Sequence, residues 1–189
     1  MTTLRLAREA MQMASENVVQ AVSQYLFAEP GANVFAILDG AAAPGLLASL
    51  YRYQPDYICL YRGELQPDMA EMAPYLVRLE PMAEYTAWVI EHGWDNHWGI
   101  FAVTYADLRE IRQHFRRFLI VHDSTGKPLL FRYYDPRVLR VYVPTCNTEE
   151  LAIVFGPVMY YILEDDKQGS ALRFHLVSGA LQQDRLQLT

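Results

Sequence analysis

The sequence predicts an α/β (α+β) fold, a mixed β-sheet flanked by helices in a single compact domain with at most a small C-terminal lobe. Continuous apolar runs bounded by turn residues alternate with segments of three-and-four apolar spacing, so strands and helices interleave along the chain. Residues 118–133 set two such runs on either side of a polar turn and read as a hairpin. Over 189 residues, 52% are hydrophobic and 20% charged, the composition of a chain that buries a core without disulfide or metal staples. No repeat, low-complexity stretch or linker divides it, and one domain is expected over 1–189.

Each element follows from its local pattern. Met11, Ala14, Val18, Val22 and Tyr25 fall on one helical face, and Glu29-Pro30-Gly31 stops that helix, expected over 5–28. Val34-Phe35-Ala36-Ile37-Leu38, apolar throughout, reads as a buried strand closed by Asp39-Gly40. Pro44 opens a short helix bearing Leu46, Leu47 and Leu50, because a proline in a first turn has no bonded N–H to lose. Strands are expected over 57–61, ended by Arg62-Gly63, and over 75–79 between Pro74 and Pro81. Residues 82–91 turn helical with Tyr85, Trp88 and Val89 on one side, and Gly93 stops them. A strand over 99–103 is followed by a helix over 105–115 carrying Leu108, Ile111 and Phe115. The hairpin arms are 118–121 and 129–133, joined through Asp123-Ser124-Thr125-Gly126, and Asp135-Pro136 ends the second because proline removes a ladder donor. Helical pieces at 137–142 and 149–155 precede a polar break at 164–170. A last strand over 172–177 and a loose tail over 181–189 finish the chain.

Charge narrows the partners. Sixteen basic residues face 22 acidic ones, a net charge of −6. Nucleic-acid binding relies on basic surface that neutralises phosphates, and attraction to anionic lipid relies on the same excess. Neither nucleic acid nor membrane is therefore an expected partner. Cys59 and Cys146 form no CxxC and suit a reducing compartment. Met1-Thr2-Thr3-Leu4-Arg5 lacks the apolar stretch of a signal peptide. The most apolar run, 151–163, is broken by Gly156-Pro157 and falls short of the ~20 residues a spanning helix needs. The expected location is the cytoplasm.

The residues make no positive case for an enzyme. His92, His97, His114, His122 and His175 form no HExxH or other compact ligand motif. His122-Asp123 is the one dyad suited to a water-activating metal, but that chemistry calls for a helix and further His and Asp ligands. Here the dyad ends a strand and opens a turn, where Asp bonds the backbone two residues on. No serine sits in GxSxG, no Gly-rich loop cradles phosphate, and Cys146 reads as an inert thiol. No metal and no cofactor are expected. The unusual feature is aromatic: 13 Tyr and 3 Trp. Such side chains bury a large apolar body while keeping a polar tip, which suits cores and interfaces alike. Trp94, Trp98, Tyr142, Tyr160 and Tyr161, with Tyr51 and Tyr53, exceed what a sheet of this size requires and are candidate partner contacts.

Phe131-Arg132-Tyr133-Tyr134-Asp135-Pro136-Arg137-Val138-Leu139 is the most distinctive passage. It reads as an apolar strand ending in a turn that holds a carboxylate beside two guanidinium groups. Arg132 and Arg137 both reach Asp135 or nearby carbonyls, and bidentate Arg–carboxylate pairs survive burial. Phe131, Arg132, Tyr133, Asp135, Pro136 and Arg137 are thus candidate site residues, as an ion cluster fixing a strand-to-helix corner or as a partner contact.

This passage resembles the FRFYDPRVL-like signature of the effector-adaptor chaperones of bacterial type VI secretion, in a short form. Val34-Phe35-Ala36-Ile37-Leu38-Asp39-Gly40-Ala41 is similar to that family's opening strand and Asp-containing turn, and Ala73-Pro74-Tyr75-Leu76-Val77-Arg78-Leu79 to its aPyLv-L element. Residues 108–118, with Arg112, His114, Arg116 and Arg117, resemble its basic helix, and Phe155-Gly156-Pro157 its Phe-Gly-Pro. The elements keep their order over 34–158, between the helix at 5–28 and the strand and tail at 171–189. The resemblance implies a non-catalytic protein that binds one cognate toxic effector in the cytoplasm, keeps it soluble and helps load it onto the spike protein of the secretion apparatus. Tyr134 departs from the signature, and only 158–189 follows Phe155-Gly156-Pro157, where longer relatives carry a C-terminal lobe. From the residues alone, a small metal-dependent hydrolase using His122 and Asp123 with other histidines is the alternative, and a subunit of a larger assembly a third reading.

Overall fold

An apolar run that never alternates needs cover on both faces, and the fold supplies it. The computed structural model describes the backbone over residues 2–122 and 124–188. Its strands are β1 (Asn33–Asp39), β2 (Tyr57–Cys59), β3 (Pro74–Leu79), β4 (Gly99–Thr104), β5 (Ile120–His122), β6 (Pro128–Leu130), β7 (Val158–Glu164), β8 (Ser170–Val177) and β9 (Ala180–Gln187). Its helices are α1 (Thr2–Leu26), α2 (Leu46–Tyr53), α3 (Pro67–Met72), α4 (Glu84–Gly93), α5 (Leu108–Arg116), α6 (Pro136–Tyr142) and α7 (Thr148–Phe155). Seven strands form one sheet in the order β2-β3-β1-β4-β7-β8-β9, and β5 and β6 form a separate pair. The α+β class expected from the sequence is the one adopted. Every ladder is antiparallel, so the mixture is of helices and strands rather than of strand directions.

β1 lies between β3 and β4, and its period of two sends alternate side chains into two cores. Val34, Ala36 and Leu38 meet Val22 and Leu26 of α1, Leu46 and Leu50 of α2, and Val89 and Ile90 of α4. Phe35 and Ile37 face the other way, toward Ile111 and Phe115 of α5, Leu139 of α6 and Leu151, Val154 and Phe155 of α7. Each fully buried side chain of this kind contributes about 1.5–3 kcal/mol. Met11 and Ala14, expected on the buried stripe of α1, lie outside the residues whose side chains are described.

The expected hairpin is present but shorter, and it stands apart from the main sheet. Its second arm ends at Leu130, not at Tyr133. The Phe131 N–H still bonds the Leu119 carbonyl at 2.9 Å, and the chain then turns, with the Asp135 N–H on the Arg132 carbonyl at 3.0 Å. That turn sends Tyr133 and Tyr134 into the core, where their burial outweighs further ladder pairing. Residues 158–163, read only as part of an apolar run, form β7, and α3 is a six-residue helix with no buried residue to mark it.

The tail is corrected as well. Residues 180–187 form the edge strand β9, reached through Ser178 and Gly179 at φ 52° and 80°, the left-handed pair that a two-residue hairpin turn requires. Arg173 and Asp184 pair directly across the β8–β9 ladder. Leu186 and Leu188 are buried in one core and Leu181 packs, half-buried, against the other, so an apolar count along 181–188 sees little. Among the described residues no helix is long and apolar enough to cross a membrane. Leu188 is 2% exposed, and Leu188→Ala is expected to cost about 2–4 kcal/mol and lower the melting midpoint by about 5 °C or more. A loose tail would leave that melt unchanged.

Candidate functional site

The signature passage closes the corner between the β5–β6 hairpin and α6, and its charges are divided between two partners. Asp135 caps α6: Oδ1 accepts from the Arg137 N–H at 3.0 Å, while Arg137 Nε donates to Oδ1 at 3.0 Å and Nη2 to Oδ2 at 2.7 Å. Pro136 takes the first helical position, where no N–H is needed. Burial pushes the Asp135 carboxyl up. The hydrogen bonds and charge of Arg137, with the charge of Arg132, outweigh that and hold it below the usual carboxylate range.

Arg132 does not bond Asp135, contrary to the expected cluster. Its guanidinium pairs with the Asp39 carboxylate at the end of β1. Arg137 and a helix N–H already occupy Asp135, whereas Asp39 is 1% exposed and needs a counter-charge. The other Asp39 oxygen accepts the Ala41 N–H at 3.0 Å and shapes the turn. Gly40 is required there, since a Cβ would lie 2.4 Å from the Glu71 carbonyl oxygen.

The aromatic members of the signature pin the same corner. Tyr133 stacks on Phe115 with ring centroids 5.7 Å apart and donates its hydroxyl to the Phe115 carbonyl at 3.0 Å. Phe131 meets Tyr142 edge-on at 4.8 Å. Tyr134, the departure from the family pattern, hydrogen-bonds Tyr61, and burial raises both phenols above their ordinary range.

A second knot joins α5 to α7. His114 Nε2 donates to the Val154 carbonyl at 3.0 Å, and the Tyr161 hydroxyl donates to the same oxygen at 2.7 Å, satisfying a carbonyl in the last turn of α7. Burial lowers the His114 pKa to about 4, so the ring is neutral at pH 7. Gly156 sits at φ 46°, and a Cβ there would lie 2.6 Å from the imidazole, which accounts for the glycine of Phe-Gly-Pro.

The remaining candidates scatter. Trp94 and Trp98 are buried: Trp94 stacks on Phe101, and Trp98 packs against Trp88 at 5.3 Å. Tyr161 lies in the opposite core. These three expected contacts are core: the connection between α4 and β4 turns Trp94 and Trp98 inward, and Tyr161 lies on β7. Tyr142 and Tyr160 are half-buried, the latter under the Arg173 guanidinium at 5.8 Å, Tyr53 is half-buried, and Tyr51 is exposed. The hairpin adds exposed aliphatic side chains that the aromatic count does not flag: Ile120, Val121, Leu129 and Leu130 are 38–50% exposed. Only the hairpin's separation from the main sheet reveals them, and composition carries no such signal.

The histidines and cysteines lie apart from one another. His97 bonds the buried Glu164, Nδ1 to Oε2 at 2.5 Å, and burial, opposed by His97, raises that carboxyl. His175 lies 3.6 Å from Asp184. His122 is exposed on β5, and Asp123 lies outside the described residues. Cys59 and Cys146 are unpaired, and burial raises both thiols, away from nucleophilic use. Among the described residues no three His, Cys, Asp or Glu side chains are grouped to hold a metal.

A family model described as a domain of unknown function (DUF4123) matches residues 34–152. No curated protein and no solved structure matches the chain.

Arg132→Ala strips the Asp39 carboxylate of its counter-charge and is expected to cost about 3 kcal/mol in denaturant unfolding. Asp39→Asn combined with Arg132→Ala should recover part of that loss, and strict additivity would count against the pair. For His114 the folded pKa lies below the unfolded 6.5, so the unfolded chain binds the extra proton. Its contribution is complete above pH 6.5 and is lost as pH falls toward 4, about 3 kcal/mol in all. Unfolding measured at neutral and acid pH should therefore show a shallower pH slope for His114→Gln than for the wild type.

Proposed function

The chain belongs to the DUF4123 family, and on that premise we propose that it is a non-catalytic adaptor chaperone, which binds one cognate effector of a bacterial type VI secretion system in the cytoplasm and hands it to the secretion spike. The family match at 34–152 overlies the stretch, 34–158, that carries the resemblance to effector-adaptor chaperones. The signature side chains support a presenting role. Arg132, Tyr133, Tyr134 and Asp135 are engaged with Asp39, Phe115, Tyr61 and Arg137, and together they fix the root of the hairpin.

The observation that carries the reading is the hairpin itself. A two-stranded hairpin is marginal alone in water, and this one presents Ile120, Val121, Leu129 and Leu130 to solvent on a separate sheet. Ile120 sits opposite Leu130 on one face of the ribbon and Val121 opposite Leu129 on the other, so both faces are apolar, and exposed apolar surface of this kind suits a protein-binding site. The effector would cover these aliphatic side chains, and the rigid root would hold them in place before it arrives, which lowers the ordering cost of binding.

A tagged chain recovered from its native bacterial lysate should bring down one abundant partner, a protein with a toxin-like domain or a spike component, identified by mass spectrometry. Leu129→Ser with Leu130→Ser should keep the wild-type melt and reduce recovery of that partner by about tenfold or more. Wild-type chain emerging alone from cells that express their secretion genes would count against the adaptor reading. Full recovery with the double variant would remove the hairpin as the contact.

A further inference from the structure

α5 carries a feature that neither the signature nor the hairpin uses. Arg109, Arg112 and Arg116 recur at three- and four-residue spacing and share a helix face. Arg117 follows at the helix end, and Arg62 comes from the segment after β2. With Gln113 these five arginines line a surface concavity of about 460 Å³ that has no carboxylate in its wall.

Arg116 is the anchored member, donating to the carbonyls of Cys59, Leu60 and Tyr61. Among the described residues none of the five forms an ion pair, and Arg112 Nε is buried without a hydrogen-bond partner. Crowded like charges repel one another. Yet a chain with 22 acidic residues and a net charge of −6 places none of its carboxylates in the wall of this concavity. The attraction for an anion is left for something outside the chain to satisfy.

A second concavity, about 500 Å³, shares Gln113 and Arg117 with the first and is lined by Phe118, Ile153 and Pro157, together with His114 and one carboxylate, Glu110. Ile153 is 62% exposed. The combined groove is cationic at the end lined by the arginines, and at the other end carries Phe118, Ile153 and Pro157 beside the single carboxylate of Glu110.

We propose that this groove takes an acidic segment of the partner protein, with carboxylates on the arginines and an apolar side chain over Ile153 and Phe118; this rests on the adaptor reading above. Arginine forms fork-like pairs with carboxylates that combine charge with direction. A long polyanion such as nucleic acid fits less well. Phosphate binding needs extended basic surface, whereas this patch is local in an acidic chain and ends on aliphatic and aromatic side chains.

The test is fluorescence anisotropy with the full chain and a labelled peptide of Glu and Asp bearing a terminal leucine. A Gln and Asn peptide and a single-stranded oligonucleotide of similar length serve as comparisons. The wild type should bind the acidic peptide saturably, and added salt should weaken binding about tenfold. Arg109→Glu with Arg117→Glu should keep the wild-type melt and weaken binding by about tenfold or more. Lys167→Glu, outside the groove, should leave binding unchanged. Equal binding of the neutral peptide, undiminished binding by the double variant, or tighter binding of the oligonucleotide would overturn the proposal. Because the probe is synthetic, failure here leaves the co-purification outcome standing, and a chain that captures no cellular partner still passes or fails this titration.

Discussion

The ion pair between Arg132 and Asp39 ties the end of the central strand to the root of the hairpin, and much of the rest is arranged around it. Asp39 is buried because β1 is buried on both faces, so its charge needs an answering charge from elsewhere in the chain. Arg132 brings that charge only if the chain turns at 131–135, and the same turn seats Tyr133 against Phe115 and lets Asp135 cap α6. One electrostatic requirement thereby sets the hairpin exit, the start of α6 and the packing of α5.

That arrangement separates holding from binding. The inner face of α5 is spent on the core through Ile111, His114 and Phe115, and its outer face presents arginines. Arg116 belongs to both, since it satisfies carbonyls at the β2 end, where a short edge strand would otherwise leave them open. The hairpin continues from the same helix and carries aliphatic side chains into solvent. A rigid base with an apolar projection and a local cationic groove fits the adaptor role proposed above, because a pre-ordered surface lowers the ordering cost of binding.

Runs such as 34–38 and 99–103 were legible because a strand buried on both sides has no choice but to be apolar. The amphipathic pattern of α5 was legible because its core and solvent faces differ sharply. The site was legible as a passage but not as a contact map. Arg132 and Asp135 are neighbours in sequence, yet Arg132 pairs with Asp39, 93 positions away, and no local spacing encodes that. Trp94 and Trp98 looked like interface anchors because burial is a property of what packs against a residue, and both join the core just after α4.

The sequence by itself determined the fold class, the apolar strands and the identity of the signature, since each follows from side-chain chemistry over a few adjacent positions. Tertiary structure alone decided that a polar tail becomes the edge strand β9, and that the aliphatic hairpin rather than the tryptophans meets solvent. It also decided that five arginines from two segments face one groove. Those outcomes depend on which distant surfaces meet. Burial and charge pairing are free energies of the assembled chain and not of its segments.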